Sequence, residues 1–206
     1  MRKTFLAITL FLAFSKAALA QFGNCTASEM RTYVDSATGN TITMLTDTMK
    51  NDRFLYQTDP MWTADGKYLL FRSSSRGNDK EVESTLPNGE KRKWTPTQIY
   101  FIEMATGKII QATEGPNLGS AFLANKTNRM FVSRKEKENR NMYVMDLNKF
   151  FADVKQGKVG KPSAYETFIG TFPTEMGRPG GYAVDCNDDY AYITVEREGT
   201  EEEKER

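Results

Sequence analysis

The chain has 206 residues, 39% of them hydrophobic, 12% aromatic and 27% charged, with 28 basic and 27 acidic side chains and no histidine. That even balance excludes the basic excess by which nucleic-acid binders neutralise phosphates, and the missing imidazoles remove the commonest switchable base and metal ligand from this stretch. The length, less a leader, suits one domain.

Residues 1–20 read as a secretory signal. Arg2 and Lys3 open it, and Ala18-Leu19-Ala20 forms a small-residue cleavage site before Gln21. The apolar run from Phe5 to Phe14 falls short of the ~20 residues a spanning helix needs. Removing Arg2, Lys3 and Lys16 leaves 25 basic residues against 27 acidic, a net charge of −2. No second apolar run follows, so an exported product is expected, periplasmic or extracellular, with no membrane attachment after processing. Cys25 and Cys186 could pair in an oxidising compartment, or stand as two unrelated buried thiols; spacing in sequence does not decide whether they come within reach.

Beyond the leader the chain reads as strands and turns. Ile42 to Thr46 alternates apolar and polar residues, as a half-buried strand does. Arg53 to Gln57 is aromatic and strand-like. Tyr68 to Phe71 is a short apolar run entered by Asp65-Gly66, a hairpin signal because glycine accepts positive φ without steric cost. Gln98–Met104 and Lys108–Thr113 form the next hairpin, turned at Thr106-Gly107. Residues 72–97 read as a polar loop rich in charge, serine and glycine, and residues 147–161 as a short helix followed by a loop.

The phrase Ala37-Thr38-Gly39 returns as Ala105-Thr106-Gly107, each copy leading into an apolar run. A second unit repeats the strand pattern: Arg129–Ser133 matches Tyr68–Arg72, and Asn141–Asp146 matches Gln98–Glu103. A third begins at Gly181–Val184, turns at Asn187-Asp188-Asp189 and continues through Tyr190–Val195. The aromatics Phe71, Phe131 and Tyr192 fall 60 and 61 residues apart, longer than the ~40–45 residues of a compact propeller repeat, with the insertions accounting for the excess. The fold expected is all-β: a β-propeller with about three blades present over residues 21–195, its ring incomplete. Residues 196–206 read as a charged tail or truncated loop. The strand at Ile42–Thr46 is spelled like the outermost strand of a blade that nothing precedes, so its edges lack a partner. The reading is an N-terminal portion of a seven- or eight-bladed ring, closed by missing blades or by an oligomer partner.

The ordered set of Asp35–Gly39 with Leu45-Thr46, Arg53–Gln57, Trp62–Lys67 with Leu69–Phe71, Thr113–Pro116, and Gly181-Tyr182 with Cys186 resembles oligogalacturonate lyase, a pectin-degrading propeller. The resemblance covers most of residues 35–195. It implies β-elimination on an acidic oligosaccharide: a base takes the proton beside the sugar carboxylate while positive charge steadies the carbanion-like transition state. It also implies a histidine base and a manganese ion held mainly by histidines. This chain has no histidine, so the expectation is a stretch without catalytic residues or metal ligands, with manganese belonging to the full-length family member. Asp185, Asp188 and Asp189 read as turn formers.

The resemblance leaves Arg53, Tyr56, Gln57 and Arg178 as the residues to contact an acidic sugar. Arginine grips a carboxylate through two parallel bonds, and tyrosine stacks on a ring. Each has a plainer reading too, Tyr56 in the core and the arginines solvated. Trp62 reads as packing between blades, and Trp94, beside Lys91, Arg92 and Lys93, as either a sugar platform or a loop anchor. Besides the lyase, two functions fit the pattern: a non-catalytic, Tol-system-like periplasmic propeller binding protein or glycan, and a propeller gate on a peptidase.

Overall fold

The computed structural model describes residues 21–77, 81–86, 88–137, 139–172 and 178–196. The expected leader at 1–20 and the charged run beyond Glu196 lie outside the described residues. The architecture is mostly β, in separate antiparallel sheets, none of them closed.

The first sheet runs in the order β1 (Cys25–Thr26), β9 (Ile109–Gln111), β8 (Gln98–Glu103), β5 (Tyr68–Ser73), β4 (Asp52–Arg53). Its central strands bury both faces. Tyr68, Leu70, Ile99, Phe101 and Ile110 point to one side, and Leu69, Phe71, Tyr100, Ile102 and Ile109 to the other, as period-2 alternation requires. The second sheet is a four-stranded meander of β10 (Leu118–Leu123), β11 (Arg129–Glu136), β12 (Asn139–Asp146) and β13 (Glu166–Phe172). A third unit pairs β14 (Arg178–Val184) with β15 (Ala191–Glu196). Met130, Val132 and Met145 pack toward the first sheet, whereas Phe122, Phe131 and Met142 pack toward Tyr182 and Ile193 of the third unit. The second sheet therefore stands between the other two.

Helix α1 (Leu147–Gln156) joins β12 to β13. Asp146 caps it by accepting a hydrogen bond from the Lys149 N–H, and Gly157 ends it at φ 66°, the left-handed turn that suits glycine. Its Phe150 and Phe151 enter the core between the first two sheets, where Phe151 stacks on Tyr68 with ring centroids 3.6 Å apart. The start of the described chain joins the same core. Phe22 lies 5.0 Å from Phe150, and the Gln21 and Phe22 N–H groups donate to the Glu114 carboxylate at 3.0 and 3.1 Å.

Four expectations are corrected. Ile42–Thr46 has a partner: β3 (Thr41–Met44) pairs with β2 (Arg31–Val34), a strand whose exposed, polar-rich sequence gives little apolar signal. The two Ala-Thr-Gly copies turn equivalent hairpins. Gly39 N–H donates to Asp35 O at 2.8 Å, and Gly107 N–H to Glu103 O at 2.7 Å; φ is 72° and 70°. The pair β2–β3 is thus spelled and turned like β8–β9. Second, residues 72–97 hold a hairpin, β6 (Val82–Thr85) with β7 (Lys91–Trp94); Asn88-Gly89 turns it, with Gly89 at φ 84°, the dipeptide that most favours such turns. Third, of the 53–57 segment only Arg53 joins the ladder, beside Asp52. A turn bonded from Asp59 N–H to Tyr56 O carries residues 54–59 away from it, and Pro60 offers no donor. Fourth, Phe71 and Phe131 are not equivalent. The bonds Thr63 N–Tyr68 O, Ala124 N–Arg129 O and Asp185 N–Tyr190 O align the three units, which makes Leu70, Phe131 and Tyr192 the matching positions. A one-residue slip puts a side chain on the opposite face, and Phe71 indeed faces away from the second sheet.

Candidate functional site

The inner strands of the three units, β4, β10 and β14, meet at a cleft of about 890 Å³, near the upper end of the ~300–1,000 Å³ typical of ligand sites. The inserted hairpin contributes Arg92 and Trp94 to its wall. Arg53 and Arg72 both line it and are direct cross-strand partners in the β4–β5 ladder. Like charges placed opposite each other destabilise a sheet. Among the described residues neither arginine has a carboxylate within ion-pair distance; Arg53 Nε donates only to Asn51 Oδ1, at 3.3 Å. The cleft holds one acidic side chain, Asp59, against Arg53, Arg72 and Arg92. Tyr56, Trp94 and Tyr182 add aromatic surface, and Ser120, Thr95 and Thr97 add hydroxyls.

The structure brings Arg53 and Tyr56 together in this cleft. Tyr56 is 65% exposed rather than core. Gln57 is exposed on the same loop but does not line the cleft. Arg178 opens β14 opposite Glu196, four positions before Tyr182. Trp62 is 46% exposed and bridges Leu69, so it is not buried between sheets as expected. Sequence reading missed Arg72 and Arg92. Arg72 closes a visible strand at the same face as Arg53, but that pairing is a long-range register. Arg92 shares a face with Trp94 on β7, a strand whose run of charge reads as loop.

The remaining acidic residues hold the scaffold. The Arg76 guanidinium, 6% exposed, is forked by Asp52, at 2.8 and 2.6 Å, and by Glu29, at 2.9 and 2.6 Å. Burial alone would lower the Arg76 pKa, but the bonds to Asp52 and Glu29 hold it above its ordinary value. The Arg76 bonds hold Glu29 below the usual range, against burial. Asp188, at φ 65°, accepts from the Asn125, Lys126 and Thr127 N–H groups at 2.6, 2.8 and 2.7 Å and from the Thr127 hydroxyl at 2.9 Å. These bonds overcome the opposing effect of burial and depress its pKa. Asp185 accepts from Asn187 and Tyr190 N–H. Such commitments leave these carboxylates as turn formers.

Among the described residues no group of three histidine, cysteine or acidic side chains is placed to hold a metal such as manganese. Cys25 and Cys186 are both free and exposed, neither joined nor buried. Cys25 sits on the first sheet opposite Ile110, Cys186 in the β14–β15 turn, with the second sheet between them. Burial of its near surroundings pushes the Cys25 thiol up. Among the described residues no helix is long and apolar enough to cross a membrane.

No family model matches the chain, and no curated protein does. Solved structures do. An oligogalacturonate lyase in complex with manganese superposes with a TM-score of 0.56 at 20% identity, over 82% of this chain and 36% of that one. The crystal structure of oligogalacturonate lyase from Vibrio parahaemolyticus gives 0.56 at 21% identity, over 81% and 35%. The chain thus spans about a third of the length of either. Over that span its fold resembles that of oligogalacturonate lyase, as the ordered segments of the sequence imply.

Proposed function

We propose that the three units are successive blades of a β-propeller, and that the cleft where their inner strands meet binds an acidic oligosaccharide of the oligogalacturonate class. The observation that carries this reading is the opposed pair Arg53 and Arg72, facing the cleft without a carboxylate partner among the described residues. Two guanidinia held side by side are costly until an anion bridges them, and each can make two parallel bonds to a carboxylate. Tyr56 supplies an aromatic face beside them. Gln57, on the same loop as Tyr56, and Arg178, which opens β14, are proposed as further contacts to the sugar.

The function inferred for the complete protein is pectin degradation by β-elimination, in an exported enzyme of the lyase type. The proton-abstracting base and the manganese belong to parts of such an enzyme that this chain does not supply: it has no histidine. What its own residues do is bind and orient. Arg53 and Arg72 hold a uronate carboxylate, which draws charge away from the neighbouring carbon and so acidifies its proton.

The test is calorimetric titration with mono-, di- and trigalacturonate, matched against the neutral galactose series. Binding of the uronates alone, weakened at least tenfold in Arg53→Ala and falling with salt, is expected. Equal binding of neutral and acidic sugars, or none of either, overturns the reading.

A further inference from the structure

The β6–β7 hairpin belongs to no other sheet. It is an arm inserted between β5 and β8, and its two faces differ in kind. Val82 pairs with Trp94 and Ser84 with Arg92; Glu83 pairs with Lys93 and Thr85 with Lys91. Alternation puts each set on its own face. The outer set is neutralised in part by the Lys91–Glu83 ion pair at 2.8 Å. The inner set turns Arg92 and Trp94 to the cleft. Arg92 has no carboxylate partner among the described residues, and Trp94 remains 37% exposed although it lines a wall. An arm serving only to close the fold would bury its indole and pair its guanidinium.

Arg92 and Trp94, two residues apart on one strand, stand ~7 Å apart along it. An indole offers a broad apolar face to a sugar ring, and a guanidinium offers a fork to its carboxylate. Both come from an element separate from the one that carries Arg53 and Arg72. We infer that the β6–β7 arm forms a second uronate subsite, with Trp94 as the ring platform and Arg92 as the carboxylate clamp, so that the cleft selects oligomers over the monomer. This rests on the acidic-oligosaccharide reading of the cleft.

The experiment compares mono-, di- and trigalacturonate binding by calorimetry in wild type, Trp94→Ala, Arg92→Gln and the outward-facing control Lys93→Ala. Wild type should bind the dimer and trimer at least tenfold more tightly than the monomer. Trp94→Ala and Arg92→Gln should each erase that advantage while leaving monomer affinity within twofold, and Lys93→Ala should change nothing. In a Trp62→Phe background the emission of Trp94 should shift on adding the dimer and not the monomer, which tests the arm even if Trp94→Ala does not fold. If both arm variants keep the wild-type preference for oligomers, or weaken monomer and oligomer alike, the second subsite is refuted while the cleft reading stands. If wild type binds no uronate, both fall.

Discussion

Arg76→Met removes a buried cation and leaves its two acids facing each other. In the wild-type chain Arg76 makes four charge-assisted bonds, two to Asp52 and two to Glu29, and its guanidinium lies 5.2 Å from the Phe71 ring. Methionine keeps an unbranched apolar stem and lacks the charged head. Stripping one partner from a buried ion pair costs ~3–5 kcal/mol, because the other charge stays buried. Asp52 is 10% exposed and Glu29 26%, so Glu29 recovers part of its hydration and the cost falls at the lower end, about 3 kcal/mol. For a chain of this length that is roughly 6–12 °C in Tm. Urea unfolding followed by circular dichroism at pH 7 measures it. The pH dependence supplies a second check. The folded pKa of Glu29 is depressed, so its contribution is fully present above the ordinary value of 4.5 and is lost as pH falls through the folded value. The gap between wild type and variant should therefore narrow below that value. A loss under ~1 kcal/mol at pH 7, the range of an exposed pair, or a gap that does not narrow in acid, refutes the assignment of Arg76 as a buried clasp.

Other outcomes follow from the same structure. Asp188→Ala leaves three turn N–H groups without their shared acceptor and should cost about 1–2 kcal/mol; hydrogen exchange should rise first at residues 125–127. Phe150→Ala empties a fully buried ring site that touches Phe22, Phe151 and Tyr165 and should cost about 3–5 kcal/mol, measurable by the same unfolding assay. Gly107→Ala should destabilise far more than Gly39→Ala. Both have positive φ, but a Cβ at 107 would meet the Ser28 hydroxyl and Met30 Sδ, whereas one at 39 meets nothing within 4 Å. In a chain that starts at Gln21 the amine donating to Glu114 is charged; Glu114→Gln should lower the Tm of such a chain and have less effect on one extended by a single residue.

Much of the fold was legible because its signals are local. Asp65-Gly66, Thr106-Gly107 and the apolar runs at 68–71, 98–103 and 129–133 carry turn and strand chemistry within a few residues of each other. What the sequence hid was relational. Phe71 and Phe131 look alike and sit in like strands, yet their faces differ, because the turn before Arg129 sets a register that aromatic spacing cannot show. The arm at 82–94 hid behind its charge, although Asn88-Gly89 marked its turn. Arg53 was singled out from its position, but its force comes from Arg72, nineteen residues on, and only the ladder puts the two opposite each other. The cleft arginine legible in the sequence was therefore half of a pair.

The three turns between inner and second strands are tied in series. Asn128 of the second unit accepts from the Asp65 N–H of the first, and Asp188 of the third holds the turn of the second. In both of these contacts a side chain of the later unit accepts from backbone of the earlier, and at the second junction the Asn125 amide also donates back to Val184 O and Asp185 O. Stability in such a stack adds up from each unit and its junction to the next. The junctions are not interchangeable: one contact of 3.2 Å joins the first turn to the second, while Asp188 alone makes four shorter bonds to the second turn and Asn125 and Lys126 add three more to the third. At this rim the weak link is the first. Force applied along the row of turns should part the first turn from the second before the second parts from the third.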